Sequence, residues 1–267
     1  VALDGGQRRL HLRVAEDGAG ILFVDVTDVI HLNPTAVQMV KLALDDVPLD
    51  EARSLFLHHF RGLDSEELST ALSSMYEMVT QLRQEHGGCP TCDLAPMLEF
   101  QPVFSKAVEV PYKADVALTY ACNNACSHCY NEPERFTMPS LSRDEWFRVL
   151  DKLADIGVPH IILTGGEPTL HPDLTALIHY ADNLGQIVGM NTNGRRLAQP
   201  ALTEAIAEAG LNHVQITLES YRASVHNAMV GDPDAFRETV AGIRQTLANG
   251  IHTITNTTLT RRNQDEA

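Results

Sequence analysis

The spacing of apolar residues changes rhythm along this chain of 267 residues. Near the start, "LHLRVAED" and "ILFVDVTDVIHLN" alternate apolar with polar positions and are rich in β-branched residues. That pattern predicts strands, with "EDGAG" as a turn between them. "NPTAVQMVKLAL" shifts to a helical period, with Asn33 as N-cap and Pro34 at the first helical position. "LDEARSLFLHHF" and "DSEELSTALSSMYEMVTQLRQEH" read as two further helices. In the last, Leu68, Leu72, Met75, Met78, Val79 and Leu82 fall on one face, which predicts core. Residues 1–86 therefore read as a small α+β domain, a sheet with three helices, of a size that folds alone.

Residues 87–113, "GGCPTCDLAPMLEFQPVFSKAVEVPYK", carry Gly and Pro and read as a linker. From 114 onward apolar strands alternate with helices. The strands are "DVALTYAC", "HIILTGG", "QIVGMNTNG", "HVQITLES" and "HTITNTTLT". The first helix begins "SRDEWF", where Ser142 and Glu145 have capping-box spacing, and Gly157, Gly210 and Gly250 stand where helices should stop. Repeated strand–helix units predict an α/β fold with a parallel sheet, open or closed into a barrel. Functional groups in such folds lie at the C-terminal ends of strands. Five strands are too few for a closed barrel, so 114–267 reads as a partial barrel whose C-terminal part is missing.

Composition narrows the partners. With 44% hydrophobic and 21% charged residues the chain is an ordinary globular one. A formal charge of −15 argues against nucleic acid or an anionic membrane as partner. No apolar run approaches the about 18 residues of a membrane span, and no signal peptide is visible, so the expected location is the cytoplasm. Thiols stay reduced there, and clustered cysteines point to metal or redox chemistry.

Three of the five cysteines, Cys122, Cys126 and Cys129, lie in "YACNNACSHCYNE" directly after the first strand of the second region. Disulfides need pairs, and structural zinc usually takes four protein ligands. Three thiolates suit an iron–sulfur cluster with one iron left open. A zinc loop completed by His128 or by a distant ligand is the competing reading. The next strand ends in "LTGGEPTLHP". There Gly165 and Gly166 let a ligand approach the backbone, and Glu167 offers a carboxylate to an ammonium group. Most histidines read as surface or capping residues, with His171 the one singled out. Cys89 and Cys92 in "GGCPTCDL" read as half a zinc or auxiliary-cluster site, a redox pair or spare thiols, the partial metal site being preferred.

CxxxCxxC after one strand, "GGEP" after the next and "TNG" after the third resemble the radical S-adenosylmethionine (SAM) superfamily, in its order. The resemblance implies that Cys122, Cys126 and Cys129 hold a [4Fe–4S] cluster whose open iron is chelated by SAM. It implies that His128 lies beside the adenine and that Gly165, Gly166 and Glu167 face the methionine amine. Asn193, Thr217 and Glu219 match strand-end positions that contact ribose or carboxylate. Asn227 and Val230 depart from the pattern, standing where Asp and a carboxylate-binding Arg are common. Residues 9–86, with "IHLNPTAV", are similar to the winged-helix recognition element of maturases of ribosomally made peptides and to quinone-cofactor peptide chaperones. An unrelated winged helix that reads DNA is disfavoured by the charge. The expected protein is a radical SAM maturase that binds a precursor peptide and takes electrons from a donor such as flavodoxin or ferredoxin. A radical SAM enzyme acting on a small molecule, and a non-enzymatic iron–sulfur sensor, are the alternatives.

Overall fold

The computed structural model describes residues 8–24, 28–60, 62, 64–83, 110–131, 134 and 137–266. Its two compact units are Val1–Val108 and Glu109–Ala267. Cys89, Cys92 and most of the expected linker lie outside the described residues.

In the first unit, β1 (Leu10–Val14), β2 (Gly20–Val24) and β3 (Asp28–Leu32) form an antiparallel sheet in that order. Three helices follow: α1 (Pro34–Leu44), α2 (Leu49–His59) and α3 (Ser65–Arg83). Asn33 caps α1 as its position predicted, its Oδ1 accepting from the Ala36 N–H at 2.8 Å. Leu22, Val24 and Ile30 of the sheet pack with Val37 and Val40 of α1 and Met78 and Val79 of α3. Leu68 and Leu72 meet Met39, Ala52 and Phe56 in a second cluster. The apolar face of α3 is therefore core, each large side chain contributing about 1.5–3 kcal/mol on burial. Among the described residues β3 is an edge strand, paired with β2 alone, and Val29 on it is 40% exposed.

The second unit holds five parallel strands in chain order: β4 (Lys113–Thr119), β5 (His160–Gly165), β6 (Ile187–Thr192), β7 (His213–Thr217) and β8 (His252–Asn256). Helices α4 (Arg143–Asp155), α5 (Leu174–Asn183), α6 (Pro200–Glu208) and α8 (Ala235–Ala248) occupy the predicted stretches. Glu145 closes the predicted capping box, its carboxylate accepting from the Ser142 N–H at 2.8 Å. A further helix, α7 (Ala223–Val230), falls where the sequence pattern predicted none. Along β5, β6 and β7 fully buried apolar side chains recur at every second residue. Ile161, Leu163, Val188, Met190, Val214 and Ile216 are fully buried and pack in one core with Trp146, Leu150, Leu177 and Ile206 of the helices. The intervening positions face the other way and begin the site. No helix among the described residues is long and apolar enough to cross a membrane.

Candidate active site at the strand ends

Backbone packing shapes the site first. β5 ends in the Gly165–Gly166 turn, which crosses the end of β4. Gly165 has φ 137°, and a Cβ there would lie 2.0 Å from the Thr119 carbonyl oxygen. One on Gly166 would lie 2.4 Å from that of Tyr120. The Gly166 N–H donates to Thr119 O at 2.7 Å and the Glu167 N–H to Ala121 O at 2.8 Å. The backbone that these glycines admit is thus the chain's own, the segment leading into Cys122. Both glycines also line an open cavity of about 1100 Å³.

Glu167 is fully buried and does not line that cavity. Its Oε1 accepts from the Thr169 N–H (3.1 Å), the Thr169 hydroxyl (2.6 Å) and the Thr192 hydroxyl (2.6 Å). Its Oε2 accepts from the Asn193 N–H at 2.8 Å. Burial raises its pKa, while the hydroxyl and amide donors pull the other way. The carboxylate that was expected to face an ammonium group here ties the end of β5 to the end of β6.

Cys122, Cys126 and Cys129 all line the cavity, the first two half-buried and the third exposed. The Asn124 N–H donates to Cys122 Sγ at 3.4 Å. The loop between the thiols docks on the end of α7, with Ala125 N–H to Val230 O at 2.9 Å and Ser127 N–H to Met229 O at 3.0 Å. Asn193 adds a tie, its Nδ2 donating to Asn123 Oδ1 at 2.7 Å. Burial raises the Cys122 pKa and pushes that of Cys126 up to about 11. A guest that binds thiolates here must therefore displace protons. Among the described residues no group of three or more His, Cys, Asp or Glu is gathered for a single metal ion. The three thiols line one cavity, close enough for Cys126 to feel the charge of the other two.

His128 Nε2 lies 2.8 Å from Glu219 Oε1, on a carboxylate with 0% exposure. Glu219 Oε2 also accepts from the Thr258 N–H at 2.9 Å, and its own N–H donates to His226 Nδ1 at 3.1 Å. His128 Nδ1 is buried without a partner, a free polar atom on a residue that lines the cavity. Asn193 and Thr217 reach the cavity as well. Asn227 instead staples its loop, with Nδ2 donating to Pro233 O at 2.5 Å, and Val230 offers the carbonyl named above. His171 lies away from the cavity, in a turn where its Nδ1 accepts from the Asp173 N–H at 3.2 Å.

The inward positions of the strands carry Thr164, Asn191, Gln215, Thr217 and Asn256, a band of hydroxyls and carboxamides on the cavity wall. Among the described residues, no Lys or Arg lines it. Of this band, sequence reasoning named only Thr217, although "HVQIT" shows its period of two. It also passed over Arg195, directly after "TNG", which binds the cysteine loop. No local motif marks that residue, since its partners come from distant segments.

Thiols, carboxamides and an imidazole–carboxylate pair at the C-terminal rim of a parallel sheet define an α/β enzyme that holds its cofactor at the strand ends. Residues 116–267 match the Radical SAM superfamily, and the chain belongs to it. Membership implies a [4Fe–4S] cluster and SAM, and three thiols lining one large cavity fit that pair. The chain is 34% identical over 151 residues to the AdoMet-dependent heme synthase of Methanosarcina barkeri, covering 56% of this chain and 43% of that protein. It is 30% identical over 168 residues to the PqqA peptide cyclase of Bradyrhizobium diazoefficiens, covering 62% of this chain and 44% of that one. It thus spans less than half the length of these relatives. Streptococcus suis SuiB bound to precursor peptide SuiA shares the fold, with a TM-score of 0.62 at 17% identity over 97% of this chain and 57% of that one.

Proposed function

We propose that the protein is a radical SAM maturase that modifies a ribosomally synthesised precursor peptide. The observation that carries this reading is the extent of the likeness to SuiB, which runs through 97% of this chain and so includes the small sheet-and-helix unit as well as the core. That unit, residues 9–86, captures the leader of the precursor. Its edge strand β3 offers main-chain hydrogen bonds to an extended peptide, and neighbouring side chains supply selectivity.

In the core, residues 114–267, Cys122, Cys126 and Cys129 would hold the cluster, which would supply the one-electron reduction that radical chemistry on SAM needs. Gly165 and Gly166 present main chain to the methionine end, and Glu167 braces that turn. His128, held by Glu219, flanks the adenosyl end, while Asn193 and Thr217 contribute polar groups. At about 1100 Å³ the cavity stands at the upper end of the about 300–1,000 Å³ typical of small-molecule sites. An external one-electron donor such as flavodoxin or ferredoxin completes the cycle. Cys89 and Cys92 form half of a second metal site, an auxiliary cluster or zinc.

The heme synthase relatives favour a second reading, a small-molecule substrate. An anionic small molecule calls for cationic partners, and among the described residues of the lining there is no Lys or Arg. Mass spectrometry of a candidate precursor after anaerobic incubation with the reconstituted protein, SAM and reductant decides between them. A mass change confined to that peptide, with leader binding at about −8 kcal/mol or tighter, is expected. A folded, SAM-cleaving protein that neither binds nor alters any candidate precursor would favour the small molecule.

A further inference from the structure

Arg195 is 11% exposed and carries four partners on one guanidinium. Nη1 donates to the Asn123 carbonyl at 2.6 Å and to Asn124 Oδ1 at 2.8 Å. Nε donates to Glu238 Oε2 at 2.6 Å, and Nη2 lies 3.0 Å from Asp232 Oδ2. The first two partners are the residues directly after Cys122. The other two lie on α8 and in the turn before it. Three segments far apart in sequence therefore meet on one planar fork, whose geometry suits several acceptors at once.

We infer that Arg195 is a positioning residue: it clamps the loop between Cys122 and Cys126 onto α8 and so sets the thiols before any metal arrives. The chain of contacts reaches sulfur. Arg195 holds the Asn124 side chain, and the Asn124 main-chain N–H donates to Cys122 Sγ. Hydrogen bonds to cluster sulfurs raise the reduction potential, because they favour the more negative, reduced state. The clamp thus acts on loop order in the metal-free protein and on potential in the loaded one. Only the second effect rests on the cysteines being cluster ligands.

The test compares the full chain with Arg195→Met and Arg195→Lys. In the metal-free proteins, hydrogen exchange of the amides at Ala125 and Ser127 should run about tenfold or more faster in Arg195→Met, with strands β5–β7 unchanged. Arg195→Lys keeps the charge without the fork and should restore part of the protection. After anaerobic reconstitution, Arg195→Met should lose iron to a chelator faster than wild type and show a lower midpoint potential. Wild-type exchange in the loop of a folded Arg195→Met protein would overturn the clamp. Faster loop exchange with no cluster formed by any variant, wild type included, would keep the clamp and remove the cluster assignment instead. Where Arg195→Met does not fold, Asn124→Ala removes only the loop's side-chain acceptor. Faster exchange at Ala125 in that variant supports the inference, and unchanged exchange overturns it.

Discussion

The two faces of the parallel sheet are made by the same strands, one residue apart. On the helix-covered face Ile161, Leu163, Val188, Met190, Val214 and Ile216 are fully buried among apolar side chains. On the other face Thr164, Asn191, Gln215, Thr217 and Asn256 line a cavity. A parallel sheet is ordinarily buried and apolar on both sides. The polar face departs from that rule, and the departure marks where binding chemistry has displaced packing. Along β7, where Val214 and Ile216 are buried and Gln215 and Thr217 line the cavity, packing and binding alternate with a period of two.

The largest expected stability effect lies on the apolar face. Leu163→Ala should cost about 2–5 kcal/mol by leaving a cavity in the core. Gln215→Ala, on the polar face of the neighbouring sheet region, should stay within about 0.5 kcal/mol in stability while altering SAM or substrate binding. Chemical denaturation read beside ligand titration checks both. Similar stability losses at the two sites would erase the distinction between the faces.

Glu167 sharpens the comparison at the rim, where a buried carboxylate serves structure within a functional turn. Its two oxygens each accept one backbone N–H, from Thr169 and from Asn193. Glu167→Gln must set its NH2 group against one of them, at an expected cost of about 1.5–3 kcal/mol. Thermal unfolding should register that loss in the protein without SAM. A carboxylate whose first role was to bind SAM would leave unfolding of the ligand-free protein unchanged and weaken SAM affinity alone.

The smallest expected effect belongs to the opposite end of the sheet. His160 Nε2 lies 2.9 Å from His213 Nε2. Burial first, then His213 and Lys113, push the His160 pKa from the ordinary 6.5 down to about 4. The unfolded chain takes up a proton at 6.5 and the folded one only near 4, so stability is full above that window and falls as pH drops through it. Partial exposure keeps the effect modest. Melting curves of wild type and His160→Leu should diverge in slope between about pH 6.5 and about pH 4, wild type losing more. Parallel curves would remove His160 as the source.

Much of this was legible in the sequence because it is local. Strand and helix periods, the Asn33 cap and the Ser142–Glu145 box each lie within a few residues, and each predicted element is present. The CxxxCxxC and "GGEP" stretches fall at neighbouring strand ends for the same reason, since motif and strand are contiguous. What escaped was long-range. The turn of Glu167 toward Thr192, the pairing of His128 with Glu219 and the grip of Arg195 on Asn123 and Asn124 depend on segments brought together by the sheet. Helix α7 escaped differently: eight residues with His226 and Asn227 inside give a weak apolar stripe, and only Gly231 after it signalled an end.

The measurement closest to the central claim is the yield of 5′-deoxyadenosine from SAM under anaerobic reduction. It compares reconstituted wild type with the protein carrying Ala at Cys122, Cys126 and Cys129. Wild type should form 5′-deoxyadenosine, and the triple variant should form none while melting at the same temperature, because the thiols lie outside the apolar core. Equal yields from the two proteins would contradict the placement of radical SAM chemistry at this rim.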